Sequence, residues 1–234
     1  MMGRPFEIRL AAVAGWFAFG GVVALFIVIP MLLAGQPPTV NTDPTVAMAY
    51  FRHPEFALIY GALGIFVGIL AILAFGYGLR SVLVAAGGPG PTRTFADLGL
   101  ALLVVTLPVY VVSSAMAAML VQAANGDPAT FATLFRLYDV LYDGAADILE
   151  GAWIGAFSIA AFGGALPRWL AWLGIAVTAT RWIKAFVPVA AVPEAIIPIS
   201  GVVFLAWFLA IVVWMTREAR RAPVDAAVHA TTAA

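Results

Sequence analysis

Six apolar runs, each near 20 residues and separated by proline, glycine or charged punctuation, dominate this 234-residue chain. A run of about 20 apolar residues is what an α-helix needs to cross a ~30 Å hydrocarbon core. In that solvent each backbone N–H and C=O must find its partner within the segment, so such runs form helices. Composition agrees: 64% of the residues are hydrophobic and 10% charged, where a soluble domain carries about 25% charged. The expected fold is therefore an all-α membrane protein with six transmembrane helices, at about 10–33, 56–79, 95–122, 144–165, 169–187 and 199–215. The first run follows Arg4 and Arg9 and is too long for a signal peptide, whose apolar region spans about 7–15 residues. It reads as a retained span. The polar, alanine-rich tail 217–234 is expected to be disordered.

Two Asp-Pro dipeptides start helices in the loops. Aspartate caps the free N–H groups of a first turn, and proline is pre-set for the first helical position. Asp43-Pro44 predicts a short helix over about 44–52, and Asp127-Pro128 a second that leads into the fourth span. Both are expected to lie at the outer membrane interface. The linker 87–94, GGPGPTRT, reads as a flexible turn. Pro188, Pro193 and Pro198 punctuate the loop before the sixth span.

Orientation follows from the arginines and the lysine, which favour the cytoplasmic side. With both termini inside, the inner side holds eight basic residues and four acids, the outer side four and eight. The layout is N-in and C-in. Net charge is zero, so nothing points to nucleic acid. The chain has no cysteine and two histidines, His53 and His229. Thiolate metal sites are excluded, a buried bis-histidine haem is not expected, and no cofactor is expected. No nucleophile–base set suggests catalytic residues.

The loop helices echo one another. DPTVAMAYFR (43–52) and DPATFATLFR (127–136) share Asp, Pro, Phe and Arg without a gap, and Glu55 then matches Asp139. The same offset lays span 1 on span 3 and span 2 on span 4. A two-span internal repeat, related by an axis along the membrane normal, is one reading. Chance recurrence of a common helix start is the other.

The charges that are out of place lie in 139–150. On a continuous helix at about 100° per residue, Asp139, Asp143, Asp147 and Glu150 fall at roughly 0°, 40°, 80° and 20°, with Arg136 in the same arc. An Asp, Lys or Arg at the bilayer centre costs about 2.5–3.5 kcal/mol. The seven large apolar side chains of span 4 return roughly 0.3–0.6 kcal/mol each, which offsets about one such charge. Span 4 therefore needs counter-ions. Span 5 carries Arg181 and Lys184, the only lysine in the chain. If spans 4 and 5 turn near Leu166–Pro167, Glu150 faces Lys184 and Trp153 faces Arg181, with Asp147 a turn further out.

The candidate binding residues are thus Asp139, Asp143, Asp147, Glu150, Arg181 and Lys184, with Asp139 and Asp143 at the mouth of an outward-facing cavity. Tyr110, Ser113 and Ser114 are candidates for its wall. The plainer alternative is that the ion pairs fix helix register while Asp139, Asp143 and Arg136 are solvated. A divalent cation between Asp143 and Asp147 fits i, i+4 spacing, but the nearby Arg and Lys argue against a metal. Gly64-x3-Gly68 and Gly151-x3-Gly155 allow close helix approach, either within the fold or in a homo-oligomer. Trp169, Trp172, Trp182, Trp207 and Trp214 fall mostly near span ends, as interfacial belts require.

The segment 164–179, GALPRWLAWLGIAVTA, resembles one found in small bacterial, often actinobacterial, integral membrane proteins catalogued as a domain of unknown function. The matching positions are Leu166, Pro167, Arg168, Trp169, Leu170, Leu173 and Gly174. The resemblance implies a six-span layout with an outer loop helix after span 1, and no catalytic residues. Two functions follow from this reading. One is solute, ion or proton handling through the cavity, for a small polar solute or cation. The other is an accessory or scaffold subunit that partners another membrane protein. The lipid bilayer is the partner common to both.

Overall fold

The computed structural model describes residues 4–39, 41–64, 67–187 and 192–221, and among them every regular element is a helix. Helix α1 runs over Arg4–Val23 and continues through a π-helical turn, Ala24–Val28, into Ile29–Ala34. The first loop helix, α2, spans Pro44–Phe51. A π-helical segment α3, Ala57–Leu63, precedes α4, which is π-wound over Val67–Ala71 and α-helical over Ile72–Gly87. Then come α5 (Pro91–Ala123), α6 (Pro128–Asp139), a π-helical turn Val140–Ala146, α7 (Asp147–Ala161), α8 (Arg168–Lys184) and α9 (Ile196–Arg221).

Both loop helices start as their sequences dictate. Asp43 accepts from the Thr45 N–H at 2.8 Å, and Asp127 from the Thr130 N–H at 2.8 Å, each with proline in the first turn. These bonds favour the anion. The Thr45 hydroxyl and the Thr130 N–H respectively hold the two carboxyls below the usual aspartate range.

Four helical stretches are long and apolar enough to cross a membrane: Phe6–Ala34, Ile69–Gly87, Pro91–Ala123 and Ile196–Arg220. The two remaining bundle helices are shorter and charged. At 1.5 Å per residue, α7 with 15 residues and α8 with 17 extend roughly 22 and 26 Å. The helix ahead of α7 adds length, because α6, the π turn and α7 follow one another without a break.

The long elements close a ring. Helix α1 packs on α4, α4 on α5, α5 on α7, α7 on α8, α8 on α9, and α9 back on α1. One apolar core fills the ring toward the α4–α5 turn, with Phe75, Leu79, Leu103, Ile154, Phe157, Leu170 and Trp207 fully buried. Trp207 is therefore a core residue, 6.0 Å from Trp153 ring to ring, and not part of an interfacial belt. At the same end, Arg80 Nη2 meets Asp97 Oδ1 at 2.5 Å and ties α4 to α5. A second core at the opposite end joins the loop helices. Phe51, Phe56, Phe131 and Phe135 pack together, and the Tyr50 and Tyr60 hydroxyls bond at 3.0 Å.

Several boundaries move from their sequence-based positions. The turn in 87–94 narrows to Gly88–Gly90, both at positive φ, because Pro91 restarts the helix with Gly90 as its cap. The last helix continues to Arg221, so 217–221 is helical; residues 222–234 lie outside the described residues, as does Pro188. Pro198 sits in the first turn of α9, where a missing N–H costs nothing, and not in the loop.

The hairpin between α7 and α8 also turns earlier than Leu166–Pro167. Helix α7 ends at Ala161, and Gly164 adopts φ +95°, a left-handed conformation that terminates helices and favours glycine. This earlier turn shifts the pairing of the two helices toward the loop-helix end.

Candidate functional site

The shift decides which charges meet. Lys184 Nζ lies 2.6 Å from Asp143 Oδ1 and 2.7 Å from Asp147 Oδ2. Arg181 Nη1 lies 2.9 Å from Asp147 Oδ1, and its Nε 3.3 Å from Glu150 Oε2. The result is an alternating ladder, Asp143–Lys184–Asp147–Arg181–Glu150, between α8 and the helix leading into α7. The expected Glu150–Lys184 and Trp153–Arg181 levels are corrected by about one turn, because the chain turns at Gly163–Gly164. Asp143 belongs inside the ladder and not at a solvated mouth.

The helices are built to allow this contact. Gly151 and Gly155 remove side chains from the α7 face that meets α8. A Cβ at Gly151 would sit 2.7 Å from the Trp182 ring, and one at Gly155 3.1 Å from Thr178 Oγ1. Thr178 donates to Gly151 O at 3.1 Å, and Trp182 Nε1 donates to Ile148 O at 3.1 Å. So Gly151-x3-Gly155 packs within the fold. The π turn Val140–Ala146 winds more residues per turn than an α-helix. That offsets the forward drift of i, i+4 positions and keeps Asp143 and Asp147 facing one lysine.

Burial makes these contacts strong. The side chains of Asp147, Lys184, Arg181 and Glu150 are each exposed by a tenth or less. Away from water an ion keeps its charge only when paired and hydrogen-bonded, and two of the contacts, Lys184 to Asp143 at 2.6 Å and Arg181 Nη1 to Asp147 at 2.9 Å, are charge-assisted hydrogen bonds, while Asp147 Oδ2 and Arg181 Nε are held by ion pairing alone. Three carboxylates and two cations leave the ladder with one excess negative charge. The Phe204 ring supports its cationic side, 4.5 Å from Arg181 Cζ.

Beside the ladder is a cavity of about 220 Å³. Asp147, Glu150, Arg181 and Lys184 form its charged wall, and Tyr110, Ser114 and Tyr142 add hydroxyls. Val22, Phe26, Ile72, Phe204 and Leu205 close the apolar side. All six bundle helices contribute to its lining, at the end that carries the loop helices. Tyr110 and Ser114 stand where the sequence suggested. Ser113 does not line this cavity; it is buried, and its Oγ has no hydrogen-bond partner among the described residues.

Asp139 sits one turn outside the ladder. It is 5% exposed, yet has no hydrogen bond or salt bridge among the described residues. Burial first, and then the adjacent Asp143 charge, push its carboxyl up to about 7. Arg136 leaves the acidic face. It lines a separate surface groove with Thr42, Pro44 and Leu137, because α6 ends at Asp139 and the winding changes there.

No group of three His, Cys, Asp or Glu side chains able to hold a metal ion occurs among the described residues. Lys184 Nζ occupies the position between Asp143 and Asp147 that such an ion would need. Sequence reasoning missed Phe204 and Tyr142. Span 6 has no charged residue to flag Phe204. Tyr142 carries one weak signal: its i−4 partner Tyr138, on which it stacks at 5.6 Å.

Comparison with protein-family models, curated proteins and solved structures gives no match.

Proposed function

We propose that this chain is a six-span protein of a bacterial plasma membrane whose ion-paired cavity, reached from the outer face, handles a small polar solute, cation or proton. The observation that carries this reading is the cavity itself. A structural clasp needs paired charges but no empty volume beside them. Here about 220 Å³ borders two of the three carboxylates, Asp147 and Glu150, and both cations, and intramembrane ionisable groups beside a cavity mark solute and proton pathways.

In this reading α7 and α8 cross the membrane as a pair, each supplying the other's counter-ions. Both termini are inside, on the side richer in arginine. The loop helices α2 and α6 lie at the outer interface. The resemblance of 164–179 to bacterial six-span proteins supports the placement. An internal duplication of the first two helical hairpins fits as well. Phe51 and Phe135, equivalent in the repeat, meet at 6.0 Å. The π segments Ala57–Leu63 and Val140–Ala146 have the same length and fall within one residue of the same offset.

A cysteine-free chain allows a direct test. A membrane-impermeant thiol reagent applied outside intact cells should label a Ser114→Cys variant faster than a Val104→Cys variant, whose side chain lies on the exterior of the bundle. Equal rates, or labelling from the inner side alone, would overturn the outward cavity. That outcome favours the second reading, an accessory or scaffold subunit. Its support is that every charge from Asp143 to Glu150 already has a partner, as a purely structural clasp requires.

A further inference from the structure

We propose that the species admitted by this site is a proton, and that Asp139 is the group that takes it up from the outer side before it reaches the ladder. The inference rests on the reading of an outward-facing, membrane-embedded cavity and adds to it the identity of the ligand and the residue that first accepts it.

The geometry distinguishes Asp139 from the other acids. Asp143, Asp147 and Glu150 each have a cation within 3.3 Å. Asp139 has none, though it is as buried as Asp147 and Glu150. The charged groups facing it are Asp143 and Asp147 along its own helix, Lys184 from α8 and Glu194 from the loop before α9. Helices α2 and α5, which also pack against this helix, place no charged side chain in hydrogen-bond or salt-bridge contact with it among the described residues. Lys184, the only cation among these neighbours, is already shared by two carboxylates at 2.6 and 2.7 Å.

Asp139 is thus a buried anion among three other carboxylates with no cation of its own. Such a group is stabilised by binding a proton and, having no salt bridge to break, binds it without disturbing the ladder. The raised carboxyl, near neutrality, agrees with this.

The next acceptor is one turn along. A proton released by Asp139 to Asp143, directly or through a water, leaves Asp139 ionised. It also neutralises one of the two anions that hold Lys184. Lys184 then rests on Asp147 alone, and the excess negative charge of the ladder is cancelled beside the cavity. A larger cation has no such route, because the space between Asp143 and Asp147 is filled by Lys184 Nζ.

The test uses the full chain in phosphatidylethanolamine–phosphatidylglycerol vesicles with a trapped pH dye and a valinomycin-set potassium potential. Proton influx should rise as outer pH falls, with a midpoint near 7. Asp139→Asn should lower it at least about tenfold, and Asp139→Glu should retain flux with a moved midpoint. Unchanged flux in Asp139→Asn overturns the role of Asp139. Absence of flux in the unmodified protein overturns the proton as ligand, while thiol labelling at position 114 still judges the cavity. If Asp139→Asn does not fold, Asp139→Glu carries the test, and an unmoved midpoint overturns the assignment.

Discussion

Lys184 Nζ donates to Asp143 Oδ1 at 2.6 Å and joins α8 to the π turn that leads into α7. The contact makes their charges mutually dependent. Removing one partner leaves an uncompensated buried ion, whereas replacing both by apolar groups removes the problem with the interaction. Lys184→Met alone should destabilise the protein by about 3–5 kcal/mol, and adding Asp143→Leu should recover part of the loss. Thermal unfolding of the purified variants in detergent measures both. A harmless single variant would place Lys184 in water.

The close approach of α7 and α8 can be trapped covalently. A Cβ on Gly155 would lie 3.7 Å from Thr178 Cβ, which suits a disulfide, where Cβ atoms are about 3.8 Å apart. With no other cysteine in the chain, the Gly155→Cys/Thr178→Cys variant should cross-link on mild oxidation, read as a mobility shift on gels after cleavage between the helices. A pair of Gly155→Cys with Trp172→Cys, whose side chain is 64% exposed on the bundle exterior, should not.

Helices α7, α8 and α9 meet most tightly at Gly174. A Cβ there would lie 2.8 Å from Trp207 Nε1 and would overlap the Ser158 hydroxyl. Overpacking a filled core costs roughly 1–3 kcal/mol. Gly174→Val should lower thermal stability by that order without closing the cavity, which is lined elsewhere. Labelling at position 114 in the same background separates the two effects.

Asp139 sets a pH dependence of stability with a definite sign. Its carboxyl rises from 3.8 to about 7 on folding, so between those values the folded state holds the proton more tightly than the unfolded chain. This contribution is largest at low pH and is lost as pH rises through that window. Melting temperature should therefore fall from about pH 4 to about pH 7 through this group, and Asp139→Asn should flatten that part of the profile. An identical slope in the variant would show that Asp139 is ionised at both ends.

Much of this architecture could be read from the chain. Length and apolarity alone set the four long helices, because a hydrocarbon solvent leaves few alternatives. The Asp-Pro caps act over three residues and are visible as such. The pairing of span 4 acids with span 5 bases follows from the cost of burying either alone. What could not be read is geometry accumulated over distance. The turn at Gly163–Gly164, three residues earlier than Pro167 suggested, displaced the pairing by one turn and brought Asp143 into contact with Lys184. The π turn at Val140–Ala146 has no sequence signature, and it changed which way Arg136 and Asp139 face. Phe204 sits over Arg181 through helix packing, and nothing near it in sequence points there.

The central claim is that the carboxylates leading into and along α7 are held in the bundle by the bases of α8. A double-mutant cycle on Asp147 and Arg181 tests it most directly, using Asp147→Ala, Arg181→Ala and the double variant, with unfolding free energy read in detergent. Buried charge pairs in direct contact couple by about 1.5 kcal/mol or more, and the account predicts a value in that range. Additive effects, with coupling near zero, would mean that the two side chains are solvated separately, and the ladder would not exist.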